Sequence, residues 1–350
     1  MDNSELLQNK EILYFFTFVR FILLKMKKIA LLTGGDSGEY EVSIKTADNI
    51  YHVLDKSLFD AYLIHIKGND WNYRADDGRE YEIDKNDFTL TIQGEKISFD
   101  AVFIAIHGSP GENGKLQAYF EMLGMPYTGC DMFCSALTFN KYFCNVAVAH
   151  FGIPVPDSVR FQEHEQIDRE KISRTCGFPC FVKPCNSGSS VGVSKVRNEA
   201  ELTAAIEEAF LYDNEIMVEK FIPGKEYTCG ITRRDGKIRP LAVTEVISKN
   251  EYYDYEAKYT PGHLELVTPA DIDAKLEKEI FKYSEIIFDK LGCKGVVRID
   301  YRVTPEGSPY LLEINTIPGQ TAMSIIPRQI EYCGMDLQDF YSELILESLK

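Results

Sequence analysis

Gly295-Val-Val-Arg298-Ile-Asp300-Tyr-Arg-Val303 and Pro309-Tyr-Leu-Leu-Glu313-Ile-Asn315 read as two adjacent strands. Side chains alternate faces along a strand, so Arg298 shares a face with Asp300, and Glu313 with Asn315. If the strands pair, two carboxylates, an amide oxygen and a guanidinium converge on one spot. Such oxygen donors suit hard Mg²⁺, which keeps its remaining positions for water and phosphate. The alternative is a surface strand pair with ordinary charges. The apolar Leu311-Leu312 beside Glu313 argues for burial, and buried carboxylates need partners.

Around this pair lie 350 residues, enough for two or three domains and a sizeable core. A hydrophobic content of 45% and a charged content of 26% are ordinary for a soluble globular protein. The net charge of -16 argues against a nucleic-acid partner, though not against a nucleotide ligand. Nine cysteines are scattered without C-x-x-C or zinc-finger spacing, and read as reduced, mostly buried thiols of a cytoplasmic protein. No run reaches the length of a membrane span. Residues 1–25 stand apart. They are apolar but interrupted by Thr17 and Arg20, and lack a signal-peptide cleavage site. Met26-Lys-Lys reads as the natural start of a first strand, which makes 1–25 a dispensable appendage or start-site artefact. A membrane-surface helix is the other reading.

Along the chain, strands are expected at Lys28–Leu32, Ala61–Ile66 and Ala101–Ile106, with helices at Ser43–Leu54 (Ser43 as N-cap) and Lys115–Leu123. Alternating strand and helix predicts an α/β domain with a parallel sheet, ending near Gly129. A helix over Ser135–Phe151 follows, broken by Gly152-Ile-Pro154-Val-Pro156. Strands are expected at Phe178–Lys183, Val193–Val196 and Glu215–Phe221, and helices at Glu199–Tyr212, Ala274–Leu291 and Gln338–Leu349.

No G-x-x-x-x-G-K-[ST] occurs, and Gly111-Glu-Asn-Gly114-Lys115-Leu116 fails that pattern. Instead Lys183 precedes a Gly/Ser loop, Asn186-Ser-Gly-Ser-Ser-Val-Gly192. Successive backbone N–H groups of such a loop can fold over phosphate oxygens, with Lys183 as the point charge. A surface Gly/Ser hairpin would look much the same. Glu219-Lys220-Phe221-Ile222 followed by Glu226 offers an apolar slot and a ribose acceptor, or charged residues on an edge strand.

Ten pieces in order give these residues a common frame. They are Gly34-Gly-Asp-Ser-Gly-Glu39-Tyr-Glu-Val-Ser43, His107-Gly-Ser-Pro-Gly-Glu-Asn-Gly114, Pro126-Tyr-Thr-Gly129, Lys141, Val182-Lys-Pro184, Gly188-Ser-Ser-Val-Gly192, Glu219-Lys220, Tyr252-Tyr-Asp-Tyr-Glu-Ala-Lys-Tyr259, Arg298-Ile-Asp300 and Glu313-Ile-Asn-Thr-Ile-Pro-Gly319. In them the chain resembles the D-alanine–D-alanine ligases, members of the ATP-grasp superfamily, over nearly all of residues 26–350. The resemblance implies an N-terminal α/β domain (26–129), a central ATP-grasp subdomain (130–219) and a C-terminal one (220–350), with ATP between the last two. It implies ligation of two D-alanines through an acylphosphate, for peptidoglycan precursor synthesis, by a cytoplasmic homodimer without a nucleic-acid or membrane partner.

Residue by residue, it implies nucleotide contacts from Lys141, Lys183, Glu219, Lys220, Ile222, Glu226 and Lys258, and two Mg²⁺ (or Mn²⁺) on Asp300, Glu313 and Asn315. Arg298 and the Gly319 N–H match oxyanion donors. Glu39 matches the carboxylate that holds the first D-alanine's ammonium, Ser189 and Tyr259 its hydrogen-bonded partners. His107, at a strand end, and Ser324 match substrate contacts. Tyr40 and Ile317 depart from common family choices at positions that carry no reacting group.

Competing readings are another ATP-grasp ligase, a ligase forming D-alanyl-D-lactate or D-alanyl-D-serine, and a catalytically inactive nucleotide-binding regulator. Intact Arg298, Asp300, Glu313 and Asn315 argue against the last. A tyrosine at 259 adds no positive charge near neutral pH, which favours D-alanine over D-lactate as second substrate.

Overall fold

The computed structural model describes residues 26–75, 77–248 and 264–350. Its first sheet has seven strands: β1 (Lys27–Gly34), β2 (Phe59–Lys67), β3 (Asp70–Arg74), β4 (Glu80–Asp84), β5 (Thr89–Ile92), β6 (Glu95–Ile97) and β7 (Ala101–Ile104), ordered β6-β5-β4-β3-β2-β1-β7. Only β1, β2 and β7 are parallel. From β2 to β6 the chain meanders antiparallel. The sheet is thus mixed, where the alternation of strand and helix predicts a parallel one. The connections among β2–β6 are too short to hold a crossover helix, so each strand must return antiparallel.

Helix α1 (Tyr40–Val53) carries the chain from β1 to β2, and α2 (Lys115–Leu123) follows β7. Ser43 is not the cap of α1, as expected, but lies buried inside its first turn. Its hydroxyl donates to Glu39 O (3.2 Å) and accepts from His107 N (3.0 Å). The hydroxyl therefore ties the helix start to the end of β7 rather than closing a local cap.

The single helix expected over 135–151 is two: α3 (Met132–Phe139) and α4 (Lys141–His150). Asn140 breaks it, with φ −83° and ψ 102°, and its side-chain oxygen accepts Phe143 N at 3.0 Å. A side chain that caps the next helix competes with continuation of the first. Lys141 becomes the first residue of α4, its backbone N donating to Cys185 O at 3.0 Å.

The second sheet is antiparallel: β8 (Ser158–Gln162), β9 (Cys180–Pro184), β10 (Ser194–Val196) and β11 (Glu215–Lys220), ordered β10-β9-β11-β8. Helices α5 (Arg169–Thr175) and α6 (Leu202–Phe210) cover it around Ile172, Val182, Leu202 and Ile216. The third sheet holds β12 (Lys225–Arg234), β13 (Lys237–Ser248), β14 (Leu264–Val267), β15 (Val296–Val303) and β16 (Pro309–Asn315), ordered β14-β13-β12-β15-β16. Helix α7 (Ala274–Lys290) packs on it through Ile280, Ile287 and Phe288, and α3 and α4 join that core through Cys134, Cys144 and Val148. The last helices, α8 (Ile325–Tyr332) and α9 (Leu337–Ser348), pack back on the first sheet, where Tyr341 and Ile345 meet Ile29, Leu31 and Phe103. The C-terminal helix thereby closes the core of the N-terminal sheet.

The turn after β7 is crowded at Gly111, where an added Cβ would stand 2.1 Å from Ile106 O. Backbone cannot swing aside as a flexible side chain can. Gly111→Ala is expected to destabilise the protein by about 1–3 kcal/mol, the usual cost of overpacking. Gly38→Ala, where nothing lies within 4 Å, should be close to neutral. Denaturant midpoints of the two variants test this; equal losses would refute the crowding.

Candidate active site

The paired strands β15 and β16 form the floor. Arg298 faces Asn315 across the pair and Asp300 faces Glu313, with a register irregularity after Asp300. Arg298 grips Asp300 with two prongs, Nε to Oδ1 at 2.9 Å and Nη2 to Oδ2 at 2.8 Å, and lies 3.9 Å from Glu313. Thr228 Oγ1 donates to Asp300 Oδ1 at 2.5 Å, and Asn315 Nδ2 to Oδ2 at 3.1 Å. The convergence expected from strand alternation is present. Two carboxylates and an amide are the donor set of a hard divalent cation, so these residues fit Mg²⁺ or Mn²⁺.

Above this floor opens a cleft of about 520 Å³, lined by Glu39, His107, Lys141, Ser189, Arg298, Glu313, Asn315, Gly319 and Ser324. Glu39 comes from the loop between β1 and α1, and Ser189 from the Gly/Ser loop of the second sheet. Ser189 Oγ donates to Glu39 Oε1 at 2.5 Å. Ser189 and Ser190 both hold left-handed backbone, φ +51° and +58°. Such conformations are costly for serine and persist where surrounding structure enforces them. At Gly188 a Cβ would stand 2.6 Å from Glu39 Oε2, so a larger residue would push the Glu39 carboxylate aside.

His107 lies three residues past the end of β7, following the strand as expected, yet both ring nitrogens are engaged inside the protein. Nδ1 lies 2.8 Å from Ile317 O, and Nε2 2.9 Å from Thr46 Oγ1. A carbonyl only accepts, so Nδ1 carries the proton and Nε2 accepts from Thr46. Burial pushes the imidazole pKa down, which keeps it neutral. His107 therefore forms a wall of the cleft and tethers the chain after β16.

A second cavity of about 100 Å³ adjoins the first, and the two share Lys141, Ser187 and Glu313. Phe181, Val193, Ile222 and Leu312 give it apolar walls, and Lys183, Glu219, Lys220, Glu226 and Asp300 give it charge. Lys183 Nζ meets the buried Glu219 at 2.5 Å, and Glu226 pairs with Arg302 at 3.0 Å. Lys141 Nζ donates to Ser187 O at the mouth of the Gly/Ser loop. An apolar slot beside three lysines suits a base attached to phosphates.

Gly319 and Ser324 lie side by side at the start of α8, where Thr321 N donates to Ser324 Oγ at 3.1 Å. The expected Lys258 and Tyr259, with the rest of 252–259, fall outside the described residues, as do residues 1–25.

Sequence reading missed two cleft residues. Arg328, on α8, has its Nε buried without a hydrogen-bond partner among the described residues. Glu112 sits in the segment that fails as a phosphate loop. It accepts Gly108 N at 2.7 Å and Ile317 N at 3.2 Å. The absence of any cation around Gly111–Gly114 except Lys115 offered no signal for it. Burial, helped by the neighbouring Glu39 carboxylate, pushes its pKa up to about 8. The unfolded value is about 4.3, so the folded protein keeps a proton that the unfolded chain releases. Stability should therefore fall as pH rises from about 5 to about 8, and level off above. Glu112→Gln should flatten that fall. Denaturant midpoints across the window test this, and an unchanged slope in the variant would show that Glu112 titrates normally.

Two family models match the chain: D-ala D-ala ligase N-terminus over residues 28–130 and D-ala D-ala ligase C-terminus over residues 147–346. The chain is 43% identical to a D-alanine–D-alanine ligase of Parabacteroides distasonis, covering 93% of this chain and 98% of that one. It is 42% identical to one of Flavobacterium johnsoniae, covering 93% and 100%. Among solved structures, the VanG D-Ala:D-Ser ligase of Enterococcus faecalis superposes with a TM-score of 0.84 at 34% identity, covering 93% of this chain and 100% of that one. The D-alanyl-alanine synthetase A of Vibrio cholerae superposes with a TM-score of 0.84 at 31% identity, covering 93% and 98%. With both domain models matched in order and relatives 42% and 43% identical over nearly their whole length, the chain belongs to the D-alanine–D-alanine ligase family and has its ATP-grasp fold.

Proposed function

We propose that this protein joins two D-alanines to D-alanyl-D-alanine, with ATP converted to ADP and phosphate through a D-alanyl phosphate intermediate. The observation that carries the reading is the Glu39–Ser189 hydrogen bond at 2.5 Å, which sets an ammonium-binding carboxylate over the floor of Arg298, Asp300, Glu313 and Asn315. An ATP-dependent carboxylate–amine ligase needs an anion to hold an amino acid, cations to receive phosphate, and donors where negative charge develops.

Glu39, oriented by Ser189, holds the first D-alanine by its ammonium and directs the carboxylate toward the second cavity. Lys141 and Lys183 receive the transferring phosphoryl group, while Phe181, Ile222 and Leu312 wall the adenine and Glu226 accepts from the ribose. Glu219 holds Lys183 in place, and Lys220 flanks the nucleotide. Asp300, Glu313 and Asn315 would hold two Mg²⁺ (or Mn²⁺), with Glu313 shared, and these would neutralise phosphate charge. Arg298 and the Gly319 N–H stabilise the oxyanion formed when the second amine attacks. Ser324, at the N-terminus of α8, receives the second carboxylate, where a helix start favours an anion. Lys258 and Tyr259 complete the closing group in this reading. A division at 26–129, 130–219 and 220–350 accompanies it; the sheet changes between Ile104 and Ser158 and between Lys220 and Lys225, while α3 and α4 share the core of the third sheet. A cytoplasmic homodimer belongs to the same reading, and no helix among the described residues is long and apolar enough to cross a membrane.

The likeness to a D-Ala:D-Ser ligase favours one second reading, D-serine as the second substrate. Mass spectrometry of products from ATP, Mg²⁺, D-alanine, D-serine and D-lactate separates the two. D-alanyl-D-alanine should predominate with equal concentrations of all three at neutral pH. ATP consumption without any dipeptide would overturn the ligase reading, and predominant D-alanyl-D-serine would replace it with the second.

Glu313→Gln should keep the fold and lower kcat by at least about a hundredfold, since a neutral amide cannot supply the charge that a shared metal ligand provides. Circular dichroism and steady-state rates at saturating Mg²⁺ check this. A change of only a few-fold would remove Glu313 from the metal site.

A further inference from the structure

Away from the cleft, three thiols meet in the core shared by α3, α4, α7 and the third sheet. Cys130 lies in the turn before α3, Cys134 in the first turn of α3, and Cys293 in the turn between α7 and β15. Their sulfurs all fall within 4.8 Å of one another, and Cys134 Sγ is 3.7 Å from Cys293 Sγ. None of the three residues is more than 2% exposed.

As buried thiols the three would pack as small apolar groups, with an S–H···S contact between Cys134 and Cys293. A disulfide would use two sulfurs at about 2.05 Å and strand the third. Four sulfurs around a Zn²⁺ at about 2.3 Å stand about 3.8 Å apart along the tetrahedron's edges. The 3.7 Å between Cys134 and Cys293 is therefore the spacing that two ligands of one such ion adopt. Hydrogen bonds among the three sulfurs push the Cys130 thiol down and the Cys134 and Cys293 thiols up, so without a cation the cluster favours one thiolate with two thiols donating to it. Lys294 N–H donates to Cys130 Sγ at 3.4 Å. Cys134 is the third residue of α3, where unpaired N–H groups and the helix dipole stabilise negative charge. Asp131, the N-cap of α3, accepts Cys134 N at 2.9 Å. The carboxylate opposes negative charge on the sulfurs, and a bound divalent cation would offset two of the three thiolate charges.

We propose that Cys130, Cys134 and Cys293 form a structural site for a thiophilic d¹⁰ cation of the zinc class, bound through three thiolates. On binding, each thiol gives its proton to solvent and its sulfur lone pair to the metal, so one divalent ion releases three protons. No electron transfer is involved. The site clamps the entry to α3 against the turn that leads into β15, the strand that carries Arg298 and Asp300. It joins residues 159 positions apart, with Cys134 at one end and Cys293 at the other.

The test uses the full chain, reduced and anaerobic, with Mg²⁺ saturating so that the cleft's oxygen donors are occupied. Titration with Cd²⁺ should give a sulfur-to-cadmium charge-transfer band that saturates at one equivalent, and Zn²⁺ should displace it. Cys333→Ser, which removes the exposed cysteine, should leave the band intact. Cys293→Ser should shrink the band and weaken Cd²⁺ affinity at least about tenfold, the loss that even an outer partner of a ligand causes. If that variant does not fold, wild-type protein decides alone, since X-ray absorption of its zinc form should show sulfur neighbours at about 2.3 Å. The proposal is overturned by the absence of a band, by a band indifferent to Cys293→Ser, or by zinc with only oxygen and nitrogen neighbours. A disulfide among these cysteines in metal-exposed, reduced protein would overturn it as well.

Discussion

Two carboxylates set directly opposite each other on paired strands repel, and Arg298 is what allows Asp300 and Glu313 to face one another on β15 and β16. Its guanidinium spends both prongs on Asp300 and reaches toward Glu313. Thr228 and Asn315 supply further donors to Asp300. The arrangement is held by hydrogen bonds yet keeps Glu313 at the border of two cavities. Two carboxylates that share one guanidinium are fixed and still carry a net negative charge between them.

The rest of the molecule brings three sheets to that pair. From the first sheet, Glu39 reaches the Gly/Ser loop of the second through Ser189. The chain leaving β16 is stitched to the turn after β7 on both sides of one residue: Ile317 O meets His107, and Ile317 N donates to Glu112. Neutral His107 and a largely protonated Glu112 add little charge beside Glu39. Both depend on burial, so the packing that walls the cleft also sets these two charge states.

The second sheet has a core of its own, drawn from residues 159–218, whereas the first and third sheets, beside their separate cores, share one through α8 and α9. The Gly/Ser loop and Lys183 thus belong to a body joined to the others chiefly by polar contacts, such as Ser189 with Glu39 and Lys141 with Ser187. Contacts of that kind exchange readily for contacts to a ligand in the cavity between the second and third sheets.

What the sequence determined by itself was local and periodic. Alternation along β15 and β16 placed Arg298 with Asp300 and Glu313 with Asn315, because a strand's two-residue repeat leaves no freedom once pairing is granted. The ordered motifs likewise reached Glu39, Ser189 and Lys141. Tertiary structure decided what depends on distant partners. Asn140 ends a helix because its side chain caps α4 and reaches Glu215. The stretch from β3 to β6 turns antiparallel because its connections are short. Glu112 matters only because Glu39 and Ile317 fold against it, and Cys130, Cys134 and Cys293 have no common spacing until α7 delivers the third beside the first two. Burial and proximity across the chain are set by packing of the whole, and no local period carries them.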